Sequence, residues 1–546
     1  MSLFGLFDIG RTAIYASQTA LSTVSNNIAN VNTPGYSRQE VILDIANPAS
    51  SGSLEVGNGV VVAGVKRDYD TFIQSQLIGQ QQNQGRSDAL NQSLSQVEQV
   101  FNDVQGMGIS SALNDYFDAW NAVAQNPEGQ PERMTLLQKG NTLVTVAKQM
   151  ESGLTGALAQ INEGMSGTVD RINTIASDIA SLNGQIVRQE AGGTSGTAND
   201  LRDRRDALMN ELSGLADIST FEDNNGAVTI TMGMRNLVSG EKAYTLSALQ
   251  DQNGDMNLFL DNIDITDNIK KGQLGGLIAA RGQIESGPLA QIRKLVASVI
   301  SQVNQVHITG FGLDQTTGNN FFSALQVPTT GNSAGAQITA ASIADLSQVT
   351  ADDYVITFDA TNNYSVIDTQ TKQVVATGPY VSGSPFTFNG IQVAISDIGA
   401  GTVQAGDTFA VKSPLTDAIK NFSMAITDIN KIAAASAVNT LPGDGTKALA
   451  LTSLSTTAIA DLGGETFMDN YKGIVSSAGV MSKAASDSLT FDNNLLADIQ
   501  NRRDSVSGVS LDEEATNLIK FQRSFQAGAK MIQITDELVQ TMLNMV

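Results

Sequence analysis

Apolar residues recur along this chain with a helical period at both ends and a period of two in parts of its middle, and those rhythms predict its architecture. Near the N-terminus Phe7, Ile14, Leu21 and Ile28 stand at heptad spacing, with Val24 and Val31 at the intervening positions of the later turns. Such spacing predicts a helix that seeks another helix. It should end near Asn30, because Asn32-Thr33-Pro34-Gly35 is turn chemistry and the residue before a proline avoids the helical region. At the C-terminus Leu518, Phe521, Phe525, Gly528, Ile532, Thr535, Val539, Met542 and Val546 alternate steps of three and four. Two readings of these ends stand side by side. One is an ordinary helix pair over a core; the other is a pair of helices that coil together and also contact neighbouring copies.

Between the ends, helical spacing recurs at Leu90, Leu94, Val97, Phe101 and Val104, and at Leu113, Phe117, Trp120 and Ala124. Val169, Ile172, Ala176, Ile179, Asn183 and Ile186 predict a long helix whose polar Asn183 sets register in the seam. Gly192-Gly193-Thr194-Ser195-Gly196 breaks it, and a second helix follows from about Asn199. Further helices are expected near 288–306, 415–436 and 512–545. Residues 217–265 and 335–411 switch to period two, as in Tyr354-Val355-Ile356-Thr357-Phe358, with Asn, Asp and Gly clusters between runs reading as hairpin turns. The fold class expected is mainly α with inserted β domains. Residues 1–65 and 500–546 pair as a coiled-coil terminal layer; 66–334 and 412–499 form a helix-rich bundle with a β-rich segment near 217–270. Residues 335–411 form an inserted outer β domain.

Hydrophobic residues make up 41% of the chain and charged ones 16%, so it can bury cores. Acidic residues exceed basic ones by 55 to 32, a formal net charge of −23. That balance argues against nucleic acid and against an anionic membrane surface. The sequence contains no Cys, so disulfides and thiolate chemistry are absent. No apolar run reaches a membrane span. Met1-Ser2-Leu3-Phe4-Gly5-Leu6-Phe7-Asp8 lacks the basic and apolar regions of a cleaved signal peptide.

Residues 25–36, Ser25-Asn26-Asn27-Ile28-Ala29-Asn30 followed by Thr33-Pro34-Gly35-Tyr36, are similar to the motif shared by flagellar rod, hook and hook-associated proteins. The continuation Tyr36-Ser37-Arg38-Gln39 resembles the hook-associated members; rod and hook proteins more often carry Gly-Phe followed by Lys-Arg. Gly508-Val509-Ser510-Leu511-Asp512-Glu513-Glu514-Ala515, leading into Asn517-Leu518-Ile519-Lys520-Phe521-Gln522, looks like the closing helix of that family. Asn199-Asp200-Leu201-Arg202-Asp203-Arg204-Arg205-Asp206, Val303-Asn304-Gln305-Val306-His307 and Gly443–Leu451 add interior resemblances. The resemblance implies an extracellular structural subunit at the hook–filament junction, exported by the flagellar type III apparatus without a cleaved signal. It implies as partners its own copies, the hook protein, a second junction protein and an export chaperone on the C-terminal helix. Helical ends that line a tube, with inserted domains outside, are implied in the same way. The assembly residues it points to are Ile14, Leu21, Asn26, Asn27, Ile28, Asn30, Pro34, Gly35 and Tyr36 at one end. At the other they are Leu518, Phe521, Phe525, Ile532, Val539 and Met542. A rod or hook subunit, or a secreted adhesin-like binding module, is the alternative.

No catalytic, cofactor or metal site emerges from the residues. The single His307 stands in a helical context before Gly310 and reads as a packing or capping residue, since neither HExxH nor a Gly-x-Ser-x-Gly elbow is present. Asp251, Asn253 and Asp255 resemble a calcium loop, but Met256 occupies the position that requires Gly. Gly443-Asp444-Gly445-Thr446-Lys447 lacks the Gly-Lys-Ser/Thr order of a phosphate loop and reads as a turn. Arg202, Arg204 and Arg205 beside Asp203 and Asp206 read as a solvated helix face or a subunit contact.

Overall fold

The computed structural model describes residues 3–545 apart from 48, 52–53, 103–107, 192–197, 252–253, 361 and 400. Val104, the break at 192–196, Asn253 and Val546 therefore lie outside the described residues. About 55% of the chain is helical, with several sheets. The helices are α1 (Leu3–Ala29), α2 (Thr71–Phe101), α3 (Ile109–Gln125), α4 (Gln130–Glu190), α5 (Asn199–Leu215), α6 (Gly272–Ile284), α7 (Ala290–His307), α8 (Thr446–Ser453), α9 (Phe467–Ser507) and α10 (Leu511–Leu543). The backbone groups into two units: Met1–Asn91, Asn162–Ala279 and Ala485–Val546 form the first, and Gln92–Ile161 with Ala280–Ala484 the second.

The first unit holds both chain ends. α1 stops where Asn30 folds back, its amide nitrogen donating to the Asn26 carbonyl at 3.0 Å while the Thr33 hydroxyl donates to Asn30 Oδ1 at 3.1 Å. Gly35 then turns the chain at φ +81°, a conformation that a Cβ would strain. Strands Gln39–Ile45 and Val60–Arg67 follow as an antiparallel ribbon. α10 begins on Ser510, whose hydroxyl accepts from the Glu513 N–H, and Asp512, Glu513 and Glu514 stand in its first turn against the positive end of the dipole. The period-two stretch at 217–265 forms a four-stranded and a three-stranded sheet. Asn183 is buried, and strand residues as well as α5 meet it. Its amide donates to the carbonyls of Val228 (2.8 Å) and Gly240 (2.9 Å), and its Oδ1 accepts the Val228 N–H. The residue pins a sheet to α4 and also receives Arg205 of α5.

In the second unit, strands from Thr329–Asn332 to Thr408–Val411 build a five-stranded and a three-stranded antiparallel sheet around Ile356, Val366, Ile391, Val393, Ile395 and Phe409. Tyr354–Phe358 alternates buried and half-buried as its period demands. The sheet starts before residue 335, because Thr329–Asn332 pairs with Thr408–Val411. Its two ends meet: the Lys412 N–H donates to the Pro328 carbonyl at 2.9 Å.

The helix expected at 415–436 does not form; turns, a 3-10 turn at Ile429–Lys431 and isolated bridges take its place. Tertiary partners claim the backbone groups that a helical ladder needs. Ala425 N–H donates to Phe321 O, Phe311 N–H to Ala435 O, and the buried Arg133 guanidinium donates to the carbonyls of Ile429 (3.1 Å) and Ile432 (2.8 Å). His307 completes this substitution. Its Nε2 accepts the Ala433 N–H at 2.9 Å and its Nδ1–H donates to Asn319 O at 2.6 Å, so both nitrogens are occupied within a cage of Trp120 and Phe321. Asp444 organises the following loop, accepting from Ser436, Thr440 and Thr446.

Burial, with the nearby Arg133 charge, lowers the His307 pKa from 6.5 to about 4. The unfolded chain takes up a proton near pH 6.5 that the folded chain refuses until about 4, so this stabilisation is complete above 6.5 and is lost as pH falls through that window. It amounts to about 3 kcal/mol on the usual scale of 1.36 kcal/mol per pH unit. His307→Gln is expected to flatten the fall in melting temperature of the second unit between pH 6.5 and 4, read by Trp120 fluorescence. An unchanged slope counts against the assignment.

Candidate assembly site

The two ends meet antiparallel: Gly10 lies beside Ile532, Ile14 beside Gly528, and Asn27 beside Glu514. Close approach explains the glycines. A Cβ on Gly10 would stand 2.8 Å from Ile532 Cγ1, and one on Gly528 would stand 3.0 Å from Ile14 Cγ1. Each isoleucine therefore fills the gap that the opposite glycine leaves, the dense packing that makes helix interfaces specific.

On α1 the expected Ile14 takes part in the contact, beside Gly528. Ala16, Ser17, Ala20, Thr23, Val24 and Asn27 are buried, whereas Ile14, Leu21 and Ile28 are half-buried and Phe7 is 43% exposed. On α10 the expected stripe has the right phase: Glu514, Gly528 and Thr535 are buried, and Leu518, Phe521, Ile532 and Val539 are half-buried. Phe525 sits at its margin, 37% exposed, and Met542 is exposed outside it.

One amide closes the base of the pair. Asn27 is buried and all four of its hydrogen-bonding positions are used: Nδ2 donates to Gln39 O (2.9 Å) and Glu514 Oε2 (3.1 Å), and Oδ1 accepts from Tyr36 OH (2.9 Å) and Gln39 N–H (3.0 Å). Burial, then Asp200, Asp203 and Glu514, push the Tyr36 hydroxyl well above its usual pKa, so it remains a donor. Arg38 pairs with Glu513 and with Asp68 (3.2 Å), lies 3.8 Å from Glu514, and its N–H donates to Ser507 O at 2.8 Å. Asn26 reaches the Tyr36 hydroxyl at 3.4 Å, and Pro34 is exposed at the turn.

The α5 charges read as a solvated face are mostly not solvated. Arg205 is fully buried, Asp203 and Asp206 are buried, and Arg202 is half-buried; Arg204 alone of this group is exposed. Arg67 donates to Asp203 (2.6 Å) and Asp206 (2.8 Å), and Asp203 also accepts the Ser37 N–H at 3.2 Å. Arg205 reaches Asn183 Oδ1 and Glu222, each at 3.1 Å. Burial raises the Asp206 pKa, against the pull of Arg67. Thus the motif at 25–39 and the segment at 199–206 bind one another. Arg67, Asp203, Asp206 and Glu514 were absent from the assembly residues drawn from the sequence. The pattern Asn-Asp-Leu-Arg-Asp-Arg-Arg-Asp, with charges on all sides of a helix, was the signal that some are buried.

Comparison with known proteins places these segments. The family models described as flagella basal body rod protein and flagellar basal body rod FlgEFG protein C-terminal match residues 7–36 and 501–545. Those described as flagellar hook-associated protein FlgK helical domain and flagellar hook-associated protein 1, D2-like domain, match 94–322 and 327–413. The chain is 30% identical over 550 residues to flagellar hook-associated protein 1 of Escherichia coli, covering 99% of each, and 31% identical over 557 residues to that of Salmonella typhimurium, again covering 99% of each. The flagellar hook junction protein FlgK from Burkholderia pseudomallei shares the fold, at 21% identity and a TM-score of 0.66 over 79% of this chain and 100% of that one.

Asn27→Ala leaves a carboxylate, a carbonyl, an N–H and a hydroxyl without their partner, at a cost of roughly 2–4 kcal/mol. Hydrogen exchange of α1 and α10 amides should accelerate together in Asn27→Ala and change little in Asn26→Ala. Equal effects of the two substitutions would refute the special place given to Asn27.

Proposed function

This chain belongs to the family of flagellar hook-associated protein 1, and on that premise we propose that it is a structural subunit at the junction between the flagellar hook and filament. The observation that carries the proposal is the joining of the two chain ends through α1 and α10, with Ile519, Met531, Ile534 and Leu538 of α10 left exposed. Exposed apolar surface of that extent on a paired helix asks for further partners. The paired ends act as a coiled-coil layer that adds to the distal hook. The partners are other copies of the chain, the hook protein, a second junction protein and, before assembly, an export chaperone that covers α10. The protein reaches the cell exterior through the flagellar type III apparatus, and it works without catalysis. Consistent with that, both ring nitrogens of the single histidine are committed to structure.

Two experiments test the reading. Phe525→Asp puts a carboxylate at the margin of the seam, where any further partner would desolvate it at a cost of several kcal/mol. The isolated chain should melt within about 2 °C of the parent, as surface substitutions do, while the variant fails to join the hook and filament protein escapes into the medium. A large fall in melting temperature with normal incorporation would invert the argument.

Deleting 329–411 and joining Pro328 to Lys412, which already touch, should leave export and filament growth largely intact. Failure of an exported deletion protein to support a filament would show that the β domain takes part in the junction itself.

A further inference from the structure

α10 carries two apolar faces, and α1 accounts for only one. The second runs through Met531, Ile534, Leu538 and Met542, again at steps of three and four, and all four are exposed. Glu537 borders it, accepting only the Gln533 amide, and Lys530 borders it a heptad earlier, donating only to Gln533 Oε1. Among the described residues neither belongs to an ion pair. On α1 the side away from the buried residues shows Phe7, Arg11 and Tyr15, one turn apart, with Tyr15 63% exposed. Arg11 has as its ion partner Asp8, one turn away at 3.2 Å and itself exposed, a pairing that water screens and a better partner can replace.

We propose that the second face of α10 in one copy docks on the Phe7–Arg11–Tyr15 face of α1 in the next. The inference rests on the reading above that copies assemble through their ends, and it names the surfaces and their register. The two faces differ, so each copy offers one and receives the other. A heterologous contact of that kind repeats into a ring or an open helix, whereas α10 meeting α10 would stop at a pair.

Charge fixes the register. Within a copy Gly10 lies beside Ile532, which puts Arg11 level with Met531 and therefore close to the height of Lys530. Copies at equal height would set Arg11 against that lysine. Displacing the next copy along the helices by about 9 Å, six residues of helical rise, brings Arg11 to Glu537. The same displacement seats Tyr15 beside Ile534 and Phe7 beside Met542. Ion pair and aromatic contacts thus select one offset, and that offset makes the assembly wind instead of lying flat.

A chain without cysteine makes the test direct. Tyr15→Cys/Ile534→Cys replaces the parent in cells, flagella are purified and oxidised, and cross-links are read on a non-reducing gel. The double variant should give a ladder of multimers, and each single variant should give none. Incorporated protein without a ladder overturns the contact, and a dimer band from Ile534→Cys alone shows α10 against α10 instead. Absence of the parent protein itself from the flagella would defeat the assembly reading, a separate result. Arg11→Glu should reduce the incorporated copies about tenfold, and adding Glu537→Arg should restore them. Without that restoration the register is wrong even if the ladder forms.

Discussion

The Asn27 side chain is the constraint on which the first unit depends. It joins the end of α1, the turn that carries Tyr36, the first strand at Gln39 and the start of α10 at Glu514, four pieces of chain from opposite ends of the sequence. An amide suits this place because it has two donors and two acceptors at fixed angles; aspartate would lose both donors and face another carboxylate. Further along the seam the specificity is steric, with glycine opposite isoleucine in both directions. A polar fastening at one end and a close fit along the length hold the same pair in one register.

Around this fastening lies a buried set of charges. Arg67 neutralises Asp203 and Asp206, and Arg205 links α5 to Asn183 and Glu222. Such groups are costly to bury and costlier to leave unpaired, so removing Arg67 would strand two carboxylates, an effect on the order of 3–5 kcal/mol. They make α5 the platform that positions the turn at 34–38. The resemblance of two distant segments to one family has a physical counterpart here, since those segments are in contact.

Periodicity revealed the helices at both ends, the long α4 and both β regions, because those elements bury one face against a fixed neighbour. It failed where side chains of another element supply the backbone partners. At 415–436 apolar spacing was helical, yet Arg133 and His307 take the carbonyls and amides, and no spacing of Leu415, Ile419 and Phe422 announces that. On α1 periodicity singled out Ile14, which meets Gly528, but Gly10 opposite Ile532 has no apolar side chain to reveal it. Asn26, Asn27, Asn30, Gly35 and Tyr36 were legible as a group through the motif. Their partner Glu514, nearly five hundred residues away, was visible only as one of three acids in a first helical turn.

That separation bears on how the protein comes into being. α1 and α10 stand far apart in the sequence, Asn27 and Glu514 being 487 residues apart, so their fastening closes a long loop, and long-range contacts of this kind form late. Until α10 arrives, Asn27 lacks one of its four hydrogen bonds and Ile14 has no Gly528 to pack on, whereas α7 and the β domain can complete their cores from nearer neighbours. The order of events is thereby written into the topology, and the joined ends become a proof of completeness. A chain that stops short of α10 cannot make the surface that only both ends together present.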